Sequence, residues 1–174
     1  AEVVRVEHAW GEPVDPEKVE AALWARRAKV LAFVHAETST GALTDPAPLC
    51  ALAREHGALT VVDCVTSLGG VPVDVGGWDA DVVYSGTQKC LSAPPGLSPF
   101  AFGLRAREAI TVRKTKSRTW LHDLSLLMSY WGGEGGRAYH HTAPVNAVYG
   151  LHEALTMLSE EGLEASFARH RRMH

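Results

Sequence analysis

Asp81-Val-Val-Tyr-Ser-Gly-Thr-Gln-Lys89-Cys-Leu-Ser-Ala-Pro-Pro-Gly96 is the stretch on which the reading of the whole chain turns. Val82-Val83-Tyr84 is a β-branched and aromatic run, the composition of a short strand. Ser85-Gly86 breaks it, and Pro94-Pro95-Gly96 makes a sharp turn. Between the break and the turn lie Gln88 and Lys89. A lysine just after a buried strand gives up hydration, which favours its neutral amine. That amine is the nucleophile a Schiff base requires. Taken alone, such a lysine reads as an ordinary surface residue, so its neighbours have to decide.

Working outward, the pattern alternates. Val3-Val4-Arg5-Val6 predicts a strand by its β-branched content. Asp15-Pro16-Glu17 predicts a helix start, with Asp15 as N-cap and Pro16 in the first turn. Val30-Leu-Ala-Phe-Val34, within Lys29–His35, is a continuous apolar run, expected of a strand covered on both faces. Asp45-Pro46 opens a second helix that ends near His56-Gly57. Leu59–Val62 is the next strand, with Asp63 at its carboxyl end. Beyond the Lys89 stretch, Phe100–Leu104 predicts one more strand and Arg105–Val112 a helix. Leu121–Trp131 follows as a helical run, then a Gly132-Gly133/Gly135-Gly136 loop. Val145–Ser159 is an amphipathic helix that Gly162 separates from a last one. Strand, helix, strand, helix, strand predicts an α/β domain with a mostly parallel sheet. Ligands in such sheets bind beyond the carboxyl ends of the strands. Three polar groups fall there, the Glu37-Thr38-Ser39 loop, Asp63 and Lys89, and they are expected to share one pocket.

The 174 residues suffice for one domain with a substantial core, and 46% apolar with 21% charged residues excludes a disordered chain. The net charge of -3 gives no general pull toward nucleic acid or anionic membrane. Arg113-Lys-Thr-Lys-Ser-Arg118 is basic, but in this setting it reads as a solvated loop. No apolar run reaches membrane-spanning length, so no membrane partner is expected. Cys50, Cys64 and Cys90 form no close pair, which suggests reduced thiols and a cytoplasmic setting. His140-His141 are adjacent on an extended chain and should point to opposite sides, so no shared ion is expected. His170 and His174 have helical metal-pair spacing without an evident carboxylate partner, and no metal site is predicted.

Four motifs together carry a resemblance: His35-Ala-Glu-Thr-Ser-Thr-Gly41, Val61-Val-Asp63-Cys-Val65-Thr-Ser-Leu-Gly-Gly70, Tyr84-Ser-Gly-Thr-Gln-Lys89 with Ala93-Pro-Pro-Gly96, and Tyr139-His-His-Thr142-Ala-Pro144. In order and spacing they resemble the large domain of class V, fold-type I pyridoxal-phosphate-dependent aminotransferases, most closely the alanine–glyoxylate and serine–pyruvate enzymes. The resemblance implies pyridoxal 5'-phosphate as cofactor, with Lys89 as the Schiff-base lysine and general base and Asp63 beside the pyridine nitrogen. It implies that Val65 packs on the ring, that Thr38 lies near the ring and its phenolic oxygen, and that Gln88 bonds the phosphate. Tyr139 and Thr142 resemble residues that reach the neighbouring subunit's phosphate, which implies a homodimer with shared sites. The implied reaction moves an amino group from alanine or serine to glyoxylate or pyruvate.

Residue by residue, plainer readings stay open: Asp63 as a strand-end cap, Val65 as a core valine, and Tyr139 with Thr142 as a loop packing on the next helix. Another class V member, such as a 2-aminoethylphosphonate transaminase, is the runner-up. A non-catalytic cofactor-binding fragment is the reading from a different class. Relatives also carry an N-terminal glycine- and serine-containing phosphate segment, a ring-stacking aromatic residue and a C-terminal small domain with a carboxylate-binding arginine. No stretch of this sequence matches them, so residues 1–174 are expected to be a fragment of the large domain and a poor catalyst alone.

Overall fold

The computed structural model describes residues 2–131 and 138–173. A four-stranded sheet forms in the order β1 (Val30–Val34), β2 (Leu59–Asp63), β3 (Val82–Tyr84), β4 (Phe100–Phe102). The first three strands are parallel, and β4 joins β3 antiparallel. The register aligns the strand ends: Val34 lies opposite Asp63, and Asp63 opposite Tyr84. Pairing runs one residue further, through His35 N–H to the Asp63 carbonyl (2.9 Å) and Cys64 N–H to the Tyr84 carbonyl (2.8 Å).

Helices α1 (Pro16–Ala25) and α2 (Pro46–Glu55) start as predicted. Asp15 accepts from Glu17 N–H at 2.9 Å and Asp45 from Ala47 N–H at 3.0 Å, each with proline in the first turn. Gly57, at φ +70°, ends α2 in a conformation that costs glycine little. Val19 and Leu23 of α1 pack with Leu49 of α2 against Leu31 and Phe33 of β1. A second cluster, Cys50, Val62, Cys64, Ala80 and Val83, gathers Val73, Val75 and Trp78 of the β2–β3 connection. Each fully buried side chain such as Leu49 or Val62 contributes about 1.5–3 kcal/mol.

At the amino ends of the strands a polar knot ties three elements. Asp81, 3% exposed, accepts through Oδ2 from Thr60 N–H (2.9 Å) and Arg105 Nη1 (3.1 Å). Arg105 Nη2 also donates to the Ala58 carbonyl at 2.7 Å. Arg105 lies on α3 (Leu104–Thr111), so that helix is clamped to β2 and to the start of β3. Then come α4 (Leu124–Trp131), α5 (Val145–Glu161) and α6 (Leu163–Met173). Gly150 of α5 sits against Pro94, where an added Cβ would lie 3.2 Å from Cδ. Ser166 Oγ of α6 donates to the Gly69 carbonyl at 2.7 Å.

Several expectations are corrected. Val3–Val6 forms no strand: Val3 and Val4 are exposed and among the described residues no strand pairs with them, so β-branched content alone gives no ladder. β1 is not covered on both faces, because it lies at the sheet edge with Val30 and Ala32 exposed. α4 starts at Leu124 instead of Leu121, since Asp123 Oδ1 accepts from Ser125 N–H at 3.0 Å, as an N-cap does. The expected Gly132–Gly136 loop lies outside the described residues, and so does His174. No described helix is long and apolar enough to cross a membrane.

Candidate active site

The polar groups at the carboxyl edge of the sheet come from three successive loops. Asp63 ends β2 and reaches two donors. Its Oδ1 accepts from Val65 N–H at 2.8 Å, the tight turn an aspartate makes with the residue two further on. Its Oδ2 accepts from the Tyr84 hydroxyl at 2.6 Å, across the β2–β3 register. Because the carboxylate holds that proton, and burial adds to the effect, the Tyr84 phenol is pushed up to about 12. Val65 is thereby fixed through its backbone beside Asp63, with its side chain half-buried.

Thr66 ties the three loops together. Its hydroxyl shares a 2.6 Å hydrogen bond with that of Thr38, which follows β1. Its carbonyl accepts from the Cys90 thiol at 3.0 Å, in the loop that carries Lys89. Burial pushes the Cys90 thiol up, which keeps it a neutral donor there. Lys89 itself lies at the tip of a closed loop. Thr87, fully buried, closes that loop twice: its carbonyl accepts from Ala93 N–H at 3.0 Å and its hydroxyl donates to the Pro94 carbonyl at 2.6 Å. Gln88 folds back over Gly86, where an added Cβ would meet Gln88 Oε1 at 2.8 Å. Any larger residue at 86 would push that amide aside.

Thr38, Asp63, Val65, Gln88 and Lys89 stand on adjoining loops beyond the carboxyl ends of β1, β2 and β3. One premise is corrected. Lys89 and Gln88 are exposed, so the loss of hydration expected of Lys89 is not supplied by the described residues. The strand places the loop, while the closed Thr87 turn carries the lysine outward. Tyr139 and Thr142 stand apart from these groups. Their hydroxyls share a 2.6 Å hydrogen bond, both residues are exposed, and among the described residues neither bonds to Thr38, Asp63 or Lys89.

The histidine pair is a second correction. His140 and His141 do not diverge: their Nδ1 atoms lie 2.8 Å apart with the rings edge to face. His140 also stacks on Trp120 and bonds its carbonyl at 3.1 Å, which turns the ring inward. Among the described residues no group of three metal-ligating side chains forms. Sequence reasoning missed Tyr84, Thr66 and Thr87 as members of the site. Tyr84 was traceable from its place at a strand end parallel to the one ending in Asp63. Thr66 and Thr87 were not, because a hydroxyl's partners depend on how loops distant in sequence meet.

A mostly parallel sheet flanked by helices, with acid and amine on neighbouring strand-end loops, is the architecture of fold-type I pyridoxal-phosphate-dependent transferases. The model of the family "Aminotransferase class-V" matches residues 1–174. The chain belongs to that family. It is 42% identical over 156 residues to alanine–glyoxylate aminotransferase of Oryctolagus cuniculus, covering 89% of this chain and 40% of that protein. It is 35% identical over 189 residues to (S)-ureidoglycine–glyoxylate transaminase of Bacillus subtilis, covering 98% of this chain and 45% of that protein. The crystal structure of an alanine–glyoxylate aminotransferase from Nostoc sp. superposes with a TM-score of 0.89 at 47% identity, over 95% of this chain and 43% of that one. The chain thus spans about two fifths of the length of these relatives.

The residues present fit the family's cofactor on chemical grounds. A carboxylate offers about four acceptor positions, and Asp63 has committed one on each oxygen, so it can still accept from a ring N–H. The Gln88 amide and Thr38 hydroxyl offer donors on the flanking loops, and Lys89 an exposed amine.

Proposed function

We propose that the protein is a pyridoxal-phosphate-dependent aminotransferase that moves an amino group from alanine or serine to glyoxylate or pyruvate. The observation that carries this reading is the Thr66 tie, which joins the Lys89–Cys90 loop, the Asp63 turn and the Thr38 loop at one sheet edge. Glyoxylate is the better supported acceptor, because it stands in the names of both curated relatives and of the solved structure. The cofactor supplies an electron-poor ring that takes up the negative charge left when the substrate's α-proton departs. The chain's residues do the rest. Lys89 would anchor the cofactor through its ε-amine and would carry the substrate's α-proton. Asp63 would hold a proton on the ring nitrogen. Val65 would pack against the ring, Thr38 would serve its phenolic oxygen, and Gln88 would hold the phosphate. Tyr139 and Thr142, exposed and apart from these groups, suit a reach to a second subunit's cofactor, so a homodimer with shared sites is part of the proposal. Residues 1–174 then make up part of the large, cofactor-binding domain. The three free cysteines support a cytoplasmic setting.

The test is borohydride reduction after incubation with pyridoxal phosphate, followed by peptide mapping. A phosphopyridoxyl group on Lys89 is expected, and its absence from the whole protein overturns the proposal. Lys89→Ala should abolish the label and lower transamination by a factor on the order of 10²–10⁴, the usual worth of a placed proton carrier. Half-reactions with alanine, serine and 2-aminoethylphosphonate, followed by glyoxylate, then identify the donor.

A further inference from the structure

Asp63 and Tyr84 are the last residues of adjacent parallel strands and face each other in register, so their side chains leave the sheet on the same side. An aspartate carboxylate turns easily about its last torsion, which is a broad, two-fold one. A single hydrogen bond would leave it free to swing. Here each oxygen is held by a different donor: Oδ1 by Val65 N–H at 2.8 Å and Oδ2 by the Tyr84 hydroxyl at 2.6 Å. The carboxylate cannot turn without breaking one of them. The Tyr84 ring is half-buried, and its backbone is fixed by the Cys64 N–H at 2.8 Å, so this donor is itself held on the strand. Its proton stays in place well above neutral pH, since the phenol is pushed up to about 12.

We propose that Tyr84 is a positioning residue for Asp63, holding the carboxylate in the one orientation in which it meets the ring nitrogen of the cofactor. The inference rests on the aminotransferase reading above, in which Asp63 serves that nitrogen. A rival role, support of the β2–β3 pairing alone, predicts a stability loss with no change in cofactor binding once the protein is folded.

A double-mutant cycle in the whole protein separates the two. Tyr84→Phe keeps the ring and removes the donor. Its dissociation constant for pyridoxal phosphate, followed by fluorescence titration, should rise by about tenfold, the worth of one hydrogen bond to a charged group. Its kcat should fall while KM for the amino donor changes by less than about twofold, because the substrate does not touch Tyr84. Added to Asp63→Asn, the same change should cost less than about twofold more, since the group it positions is already altered. Wild-type cofactor affinity in Tyr84→Phe overturns the proposal, and so do losses that simply multiply in the double variant. Should Tyr84→Phe not fold, Asp63→Asn supplies the alternative readout. The Tyr84 phenol, held above the ordinary tyrosine range by the Asp63 carboxylate, should return toward that range in a spectrophotometric titration, and no movement overturns the proposal. A wild-type protein without a borohydride-stable label on Lys89 would reject the aminotransferase reading and this inference with it. A labelled Lys89 with independent losses would reject Tyr84 alone.

Discussion

The segment from Val30 to Thr111 and the segment from Val112 to Met173 are built differently. The first closes on itself. Leu49, Val62, Thr60 and Thr87 are almost wholly buried, and the Asp81–Arg105 knot locks the strand starts. In the second, the described residues leave Tyr149 at 72%, Met157 at 62% and Leu163 at 54% exposed. It attaches through small contacts: Gly150 on Pro94, Ser166 on Gly69, and His170 beside Gly70. The groups proposed for cofactor chemistry divide the same way. Asp63 and Lys89 stand on the self-closed part, whereas Tyr139 and Thr142 stand on the loosely attached part. Geometry that must be held to a few tenths of an ångström is entrusted to the sheet. Contacts proposed to reach another subunit are left on the segment that the sheet does not enclose.

Changes at the knot should therefore unfold the chain, and changes at the attachments should be felt mainly locally. The largest effect is expected from Arg105→Ala, which strands the Asp81 carboxylate in the interior. A loss of about 2–3 kcal/mol should appear in urea unfolding, below the 3–5 typical of a fully buried pair, because the Arg105 side chain is 30% exposed. A loss under about 1 kcal/mol would show that the knot is not what separates the two segments.

Gly70→Ala probes the seam itself. Its Cβ would sit 2.6 Å from Cys90 Sγ and 3.3 Å from His170 Cδ2. Overpacking of this kind costs about 1–3 kcal/mol. The displaced Cys90 neighbours Lys89, so cofactor labelling of Lys89 should slow, and Cys90→Ser in the same protein, which shortens the side chain but keeps a donor for the Thr66 carbonyl, should recover most of the rate. Recovery is the discriminating outcome, since a general loss of fold would not be rescued by removing a thiol.

Two pH limits belong to the self-closed segment. Burial holds His35 below its ordinary 6.5, with Asp45 opposing in part. The unfolded chain then takes up a proton that the folded one resists, so stability should fall as pH drops below 6.5, and His35→Gln should flatten that limb. For Tyr84 the sign is reversed. Its contribution is complete below the ordinary phenol value of 10.0 and is lost as pH rises through about 12. Asp63→Asn should remove this alkaline limb. Both are read from unfolding midpoints across pH.

The smallest effect is expected at Gly150→Ala. The new methyl would approach Pro94 Cδ to 3.2 Å, which a shift of a few tenths of an ångström relieves. A helix gains about 1 kcal/mol from replacing glycine with alanine, so the net change should stay within about 1 kcal/mol. A loss as large as that of Arg105→Ala would mean that α5 is clamped as firmly as the sheet.

The sequence by itself determined what is local. Asp15-Pro16 and Asp45-Pro46 start helices because a carboxylate takes the first free amides and proline needs none. The runs Val30–Val34, Leu59–Val62 and Val82–Tyr84 became parallel strands because β-branched and apolar residues suit a pleated, partly buried surface, even where β1 ends at the sheet edge. The place of Asp63 and Lys89 at the carboxyl ends of β2 and β3 was legible from the apolar runs before them, and the family followed from four motifs in register. The tertiary structure alone decided the rest. Whether Val3–Val6 finds a partner strand, whether His140 turns toward His141 onto Trp120, and whether Lys89 is covered all depend on what other segments bring alongside. So do the partners of Tyr84, Thr66 and Thr87. A hydroxyl bonds whatever stands within 3 Å, and which group that is depends on packing between residues far apart in the chain.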